Sequence, residues 1–546
     1  MVLTLLAVLV CFFGNYLPGL LIVQRLRLSD LGQVLPAFMI GAAINTTVLT
    51  LWSFLGPITP VYCVGVVLFG LLMVASIPSF RQVIWQELRQ LTELPIVLKV
   101  LVAAIVVGAV FAANETADGF DEGLYYIQTV RWLQEFGTVP GLGNLHNRFA
   151  YNASWHTLAS GFTFISDGYY NDLGIALFLS MAIFVIGQLG QVLRQGLDVR
   201  LFFLLVWVFL LTNIFSKANS ISADFPAFVV GFFVGYMVLL IFSGLLKVSR
   251  SALLFFFGLL PWALTIKLSS LPFACITGAL LVGYTWRQSY TLWPRLLLLA
   301  GVVLLPFVAR GWVLSGYLFY PLTFTAVGSP DWQVPVAEVE LERLSIQNAA
   351  KLVPLDVWVQ NRFVPASEWF VQWVEKTNGD ILIPVVIALL GAVALWIMRK
   401  RISPLLLLYA WVLLALTVQM LYMVPDLRFI YAQPWLVIAI GAGVVGGQLS
   451  KKVQTYTFYG LMVVQSVGFI LIAVNAAKRF DGCWIVGNPA PTKQVYQWQT
   501  QDKQVIHVVS DGDQCWNSTF PCIPNYECGK IETRMGTYAS GFRVVK

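Results

Sequence analysis

Residues 225–246 read FPAFVVGFFVGYMVLLIFSGLL. No charge interrupts the run, and a helix of this length, at about 1.5 Å per residue, crosses the ~30 Å hydrocarbon core of a bilayer. Fourteen such runs occur, at about 2–23, 34–54, 58–77, 97–113, 170–193, 201–217, 225–246, 252–266, 270–286, 295–311, 381–398, 404–423, 430–449 and 456–474. None alternates apolar and polar residues as a barrel strand does. Of the 546 residues 58% are hydrophobic and 11% charged, against roughly 25% charged in soluble domains. That balance excludes a soluble fold and a disordered chain. The sequence predicts an all-α polytopic membrane protein.

Lys and Arg gather in every second loop: Arg25/Arg27, Arg81/Arg89/Lys99, Arg194/Arg200, Lys247/Arg250, Arg287/Arg295, Arg399/Lys400/Arg401 and Lys451/Lys452. The positive-inside rule puts these loops in the cytoplasm and both termini outside. The outer side then holds loop 114–169, loop 312–380 and tail 475–546. The expected division is extra N-terminal membrane helices (1–96), a membrane core carrying the first outer loop (97–311), the second outer loop (312–380), C-terminal membrane helices (381–474) and a small tail domain (475–546). The cytoplasmic loops are too short for a nucleotide-binding domain. No GxxxxGK[ST] or GxGxxG turn occurs, which argues against an ATP-driven pump. The net charge of +7 is modest, and no nucleic-acid partner is expected.

Of the seven Cys, Cys11, Cys63 and Cys275 lie in apolar runs, as inert core thiols do. Cys483, Cys515, Cys522 and Cys528 crowd the tail. Four Cys allow three pairings, and an oxidising compartment favours two disulfides. Zinc is the rival reading, although no pair has CxxC spacing.

The first outer loop carries ETADGFDEGLYYIQTVRWLQEF, Glu115 to Phe136. Asp118, Asp121 and Glu122 stand just past a span, where unpaired acids are costly. Helical spacing from Asp121 to Phe136 predicts a helix lying flat on the interface, anchored by Tyr125, Tyr126 and Trp132. Asp121 is then either a proton acceptor for a hydroxyl, or one of two acids favoured by the helix N-terminus. Asp224, Lys267, Arg310 and Arg428 fall at other turns on the same face. Singly each basic group is an ordinary snorkeller; together they suit an anionic headgroup. His146 and His156 flank Arg148 and are either ligands or structural hydrogen-bonding groups. No metal is needed where Arg and Lys supply charge, although a divalent ion stays open.

Four segments in order resemble the GT-C superfamily of polytopic glycosyltransferases. Asp121-Glu122 followed by Tyr125-Tyr126 resembles that family's acidic first-outer-loop segment with its surface helix. Asp224 in SADFPAF resembles its later acidic turn. Arg310, Gly316 and Tyr320-Pro321 resemble the segment opening its large outer loop, with Gly316-Tyr317-Leu318 in place of Gly-Asn-Pro. Arg428 in LRFIYAQP resembles the Arg that meets a lipid phosphate. Three extra spans, within 1–77, stand here ahead of the span that opens into the acidic loop, which in the family is normally the first. The resemblance implies a bacterial inner-membrane enzyme with its site on the periplasmic face. It would transfer a sugar, with inversion, from a polyprenyl-phosphate carrier such as undecaprenyl phosphate to a glycan, lipid or protein acceptor. Asp121 would be the base and Glu122 its helper; Arg310, Arg428 and Lys267 would hold the phosphate. Asp118, Tyr125, Tyr126, His146, Arg148, His156 and Asp224 would contact substrate. The alternatives are a transporter or flippase of a lipid-linked glycan, and an O-antigen polymerase or ligase.

Overall fold

The structure, a computed structural model, describes residues 2–26, 32–116, 118–163, 172–286, 290–353, 364–377, 381–429, 432–479, 489–524 and 531–545. Arg27, Arg287, Cys483 and Cys528 lie outside the described residues. The helices are α1 (Val2–Arg25), α2 (Val34–Ser53), α3 (Val61–Ser76), α4 (Pro78–Thr92), α5 (Ile96–Ala113), α6 (Ile127–Phe136), α7 (Ser154–Phe162), α8 (Asp172–Gln195), α9 (Val199–Ala218) and α10 (Asp224–Phe242). They continue as α11 (Arg250–Ile266), α12 (Leu271–Tyr284), α13 (Trp293–Ser315), α14 (Val336–Ala350), α15 (Ala366–Lys376), α16 (Leu382–Ile397), α17 (Pro404–Met423), α18 (Ala432–Gly446) and α19 (Lys451–Lys478).

Among the described residues, nine helices are long and apolar enough to cross a membrane: α1, α2, α5, α8, α9, α10, α13, α17 and α19. Helices α3 and α4 pass only as a pair, with a bend of 97° between them. Four more apolar helices, α11, α12, α16 and α18, are shorter. Large apolar side chains face outward along the bundle; Leu298 is 68% and Leu305 69% exposed on α13. Water would make such a belt an aggregation surface, whereas lipid matches it. The chain is an all-α integral membrane protein.

Close packing depends on small residues at helix crossings. A Cβ on Gly19 of α1 would sit 1.8 Å from the Ala37 carbonyl oxygen, and one on Gly41 of α2 1.7 Å from that of Asn15. Only glycine lets these backbones touch, and membrane helices gain their van der Waals contact that way. Asn45 of α2 donates to Asn15 Oδ1 at 2.9 Å within the same interface.

The tail adds a small β unit. Strand β1 (Val495–Gln499) pairs antiparallel with β2 (Val505–Val509), which pairs parallel with β3 (Cys522–Ile523). Strands β4 (Ile531–Thr533) and β5 (Phe542–Val544) form a second antiparallel ladder. A disulfide joins Cys515 to Cys522. This unit covers α6 and corrects the expectation of an interfacial helix. Trp132, 1% exposed, lies under Phe520, Tyr538 and Phe542 rather than against lipid. Tyr125 and Tyr126 are likewise buried.

Candidate functional site

At one end of the bundle the loop after α5, the turns before α10 and α12, the segment after α13 and the turn before α18 converge. They enclose a cavity of about 240 Å³. Its charged wall is Asp121, Arg148, Asp224, Lys267 and Arg428, and aromatic rings, among them Tyr125, Tyr126, Tyr151 and Tyr320, complete it.

Local structure explains how Asp121 arrives there. Gly119 permits the turn after α5, because a Cβ at that position would collide with the Glu122 carboxylate. Asp121 then precedes a π-helical turn, Glu122–Tyr126, that runs into α6. Such turns are rare and cluster at functional sites. Lys267 ends α11 in extended backbone. It is thus the turn residue between two short helices, not a charge inside a span.

The charges are interlocked. Arg148 Nη1 donates to Asp121 Oδ1 at 2.9 Å, and Arg428 Nη1 to Asp121 Oδ2 at 3.2 Å. Arg148 Nε also lies 3.5 Å from Glu342, and Tyr151 donates its hydroxyl to the same carboxylate. Lys267 is paired with Asp224 and donates to the Arg428 carbonyl at 2.7 Å. Five charged groups line the wall, three of them positive, which leaves an excess of one positive charge facing the cavity. Burial pushes the Tyr125 and Tyr126 phenols up, so both remain hydrogen-bond donors at neutral pH.

Four expected site residues stand elsewhere. Arg310 is buried behind the wall, where its guanidinium donates to Asn152 Oδ1; Asn152, not Arg310, lines the cavity. Glu122 is 2% exposed and turns toward Ser220 and the Ile221 amide. Burial there pushes its carboxyl up to about 7. His146 caps the 3-10 turn Asn147–Ala150, its Nδ1 accepting from the Arg148 amide at 3.0 Å. Asp118 is exposed outside the cavity. His156 does line the wall; burial and the neighbouring Arg310 charge lower it to about 3 and keep it neutral. Among the described residues, no group of His, Cys, Asp and Glu could hold a metal ion.

A family model described as "Domain of unknown function (DUF8201)" matches residues 1–435. The chain belongs to the DUF8201 family. No curated protein and no solved structure matches it. Every residue named on the cavity wall falls within the DUF8201 match, whereas α19 and the tail fall outside it. In this DUF8201 member the segment between α13 and α16 contributes more than its sequence suggests. Glu342 on α14, 7% exposed, anchors Arg148 and Tyr151, yet in VAEVELERLS it reads as one acid among several on a solvated helix. Only its burial distinguishes it. As a chemical device the site offers a carboxylate held between two guanidiniums, a second ion pair opposite, and ring faces between them.

Proposed function

We propose that the protein is an inverting glycosyltransferase using a polyprenyl-phosphate-linked sugar on the extracytoplasmic face of a bacterial inner membrane. The observation that carries the reading is the contact between Asp121 and Arg428, 307 residues apart in sequence and on one cavity wall. A base and a phosphate-binding guanidinium must meet at the reacting carbon, and here they touch.

The cycle follows from the ion pairs. Asp121 is shared by Arg148 on Oδ1 and Arg428 on Oδ2. A donor phosphate takes Arg428 and Lys267 as its own partners, since guanidinium holds phosphate oxygens bidentately. Asp121 then keeps Arg148 on Oδ1 and has Oδ2 free for the acceptor. It accepts the proton of the acceptor hydroxyl, and that oxygen bonds to the anomeric carbon. The carbon–oxygen bond to phosphate breaks, and the electron pair leaves with the polyprenyl phosphate. Charge stabilisation of that leaving group is the larger catalytic contribution. The rings of Tyr125, Tyr126, Tyr151 and Tyr320 give the sugar stacking faces. Arg310 acts through Asn152, and Glu122 through the loop it anchors.

Fourteen crossings, with both termini periplasmic, belong to the same reading. The direct test incubates the purified protein with undecaprenyl-phosphate hexose or pentose in vesicles and follows release of undecaprenyl phosphate. Release that requires Asp121 supports transfer. Movement of intact donor between leaflets without cleavage would make the protein a flippase and overturn the proposal.

A further inference from the structure

The opposite end of the bundle holds a second chamber, of about 320 Å³, far from the transferase cavity. Helix α4 forms its roof. After the 97° bend from α3 this helix lies along the bundle end, with Trp85 70% exposed on its outer side. That is the posture of an interfacial helix at headgroup depth. Its inward stripe runs Phe80, Ile84, Glu87, Leu91 and Leu94, spaced three and four apart. The four apolar members pack against the core. Glu87 occupies an inward position where that pattern asks for an aliphatic side chain, and it lines the chamber. Local departures of this kind mark function.

Helix α8 forms the floor. Along one of its ridges, at intervals of four, stand Ile175, Leu179, Ile183, Gly187, Gln191 and Gln195. The last four, with Arg194 and Gln188, border the polar chamber. The first three border an apolar groove of about 240 Å³ between α1, α5 and α8. Ile183 belongs to both, so the two spaces adjoin. Nothing lies within 4 Å of where a Gly187 Cβ would be, which leaves the passage open.

We propose that this chamber and groove bind one amphiphile: a phospholipid whose headgroup carries a phosphodiester and a primary ammonium. The acyl chain lies along Ile183, Leu179 and Ile175, beside Phe12 and Phe13 of α1. The phosphodiester meets Arg194, and the ammonium meets Glu87. Gln90 and Gln191 carry both a carbonyl and an amide NH₂ and can serve either half of the headgroup, while the Gln188 and Gln195 carbonyls already accept from Tyr236 and Arg200. Glu93 is paired with Arg89 at 2.9 Å, whereas Glu87 accepts only from the Gln33 amide, at 2.9 Å, and has no basic side chain on it among the described residues, so a purely anionic headgroup would set its second charge against the Glu87 carboxylate. The inference does not rest on the transferase reading.

The test is lipid competition on the full-length protein. The protein is equilibrated in nanodiscs with equal amounts of phosphatidylethanolamine, phosphatidylcholine and phosphatidylglycerol of identical chains, then released for native mass spectrometry. Phosphatidylethanolamine should be retained over phosphatidylcholine by roughly tenfold, the worth of one charge-assisted hydrogen bond that a trimethylated headgroup cannot donate. Glu87→Gln should abolish that preference, and Gly187→Leu should lower retention of all three lipids by closing the passage. Arg534→Ala, in the tail at the other end, should leave the retention of all three lipids as it is. Equal retention of ethanolamine and choline lipids by the unmodified protein would overturn the proposal, even if the variants failed to fold. So would a preference that survives Glu87→Gln.

Discussion

At the scale of single residues, the site turns on what Asp121 and Glu122 each do. Adjacent in sequence, they face different surroundings: Asp121 meets two arginines at the cavity, while Glu122 is buried against the turn at Ser220. Asp121→Asn keeps the size and removes the proton acceptor, so donor turnover should fall by ~10²–10⁴-fold, measured as polyprenyl phosphate released, with folding intact. Arg428→Lys keeps the charge and loses the planar fork, so it should raise the donor KM more than it lowers kcat. Glu122 makes a different prediction. Its carboxyl is raised from 4.5 to about 7 by burial, so the folded state holds the proton longer than the unfolded chain does. Stability is therefore fully present below pH 4.5, declines as pH rises, and levels off above about 7, with a slope of at most ~1.4 kcal/mol per pH unit. Thermal unfolding between pH 4.5 and 8 should show that decline, and Glu122→Gln should flatten it. An unchanged slope in the variant would mean that another group titrates. The sequence showed an acidic pair at the right place but could not assign its roles, because burial on opposite sides of one turn leaves no mark on composition. Arg310 was misplaced for the same reason: an Arg at a span end reads alike whether it faces the cavity or stands behind Asn152.

At the scale of elements, the tail and the loop after α5 form one unit. The Trp516 amide donates to the Gly123 carbonyl at 2.9 Å, and Gln128 Nε2 donates to the Trp516 carbonyl at 2.9 Å. Arg131 Nη1 donates to the Ser518 carbonyl at 2.6 Å. All three contacts fall in or beside the loop that Cys515–Cys522 closes, and they grip the residues just after Asp121. A Cβ on Gly123 would lie 2.4 Å from the Trp516 indole, so this grip requires glycine. Replacing Cys515 and Cys522 together by Ser should cost about 2–3 kcal/mol of tail stability. Limited proteolysis should then release the tail while α1–α19 stay folded, and turnover should drop although no cavity residue has changed. Full activity with a cleaved tail would show that the grip is only structural. Little of this was legible. The spacing of Leu124, Ile127, Val130 and Leu133 gave the helix, but an apolar stripe looks the same under lipid and under a β unit. The tail's strands are only two to five residues long; what positions them is contact with α6, a partner almost 400 residues away.

At the scale of the whole molecule, the meeting of distant turns constrains how the chain threads the membrane. Asp121, Asp224, Lys267, Tyr320 and Arg428 line one cavity, so the turns that carry them lie on one side. Between consecutive members stand α8 and α9, α10 and α11, α12 and α13, then α16 and α17. The tail contacts Gly123 on that same side, and α18 and α19 separate it from Arg428. In each of the last four pairs a long helix is matched with a short one. The Thr4 hydroxyl donates to Asn114 at 3.4 Å, and the Ile58 amide donates to the Leu133 carbonyl at 2.9 Å. The start of α1 and the turn after α2 therefore share that side as well, with α3 and α5 completing the circuit. The proposed fourteen crossings would need the short helices α11, α12, α16 and α18, and the α3 segment, to cross as well. The basic loops then fall at the other end, as Lys247, Arg250, Lys451 and Lys452 do. A reporter fluorescent only in the cytoplasm, fused after Lys546, should be dark, and one placed in the loop after Arg401 should be bright. Because the tail is bound to the loop that carries Asp121, the first fusion also reports the side of the cavity. A bright signal there would put Asp121 and Arg428 in the cytoplasm, where the donor sugar's outer-leaflet carrier does not present itself, and the transferase reading would fail with it.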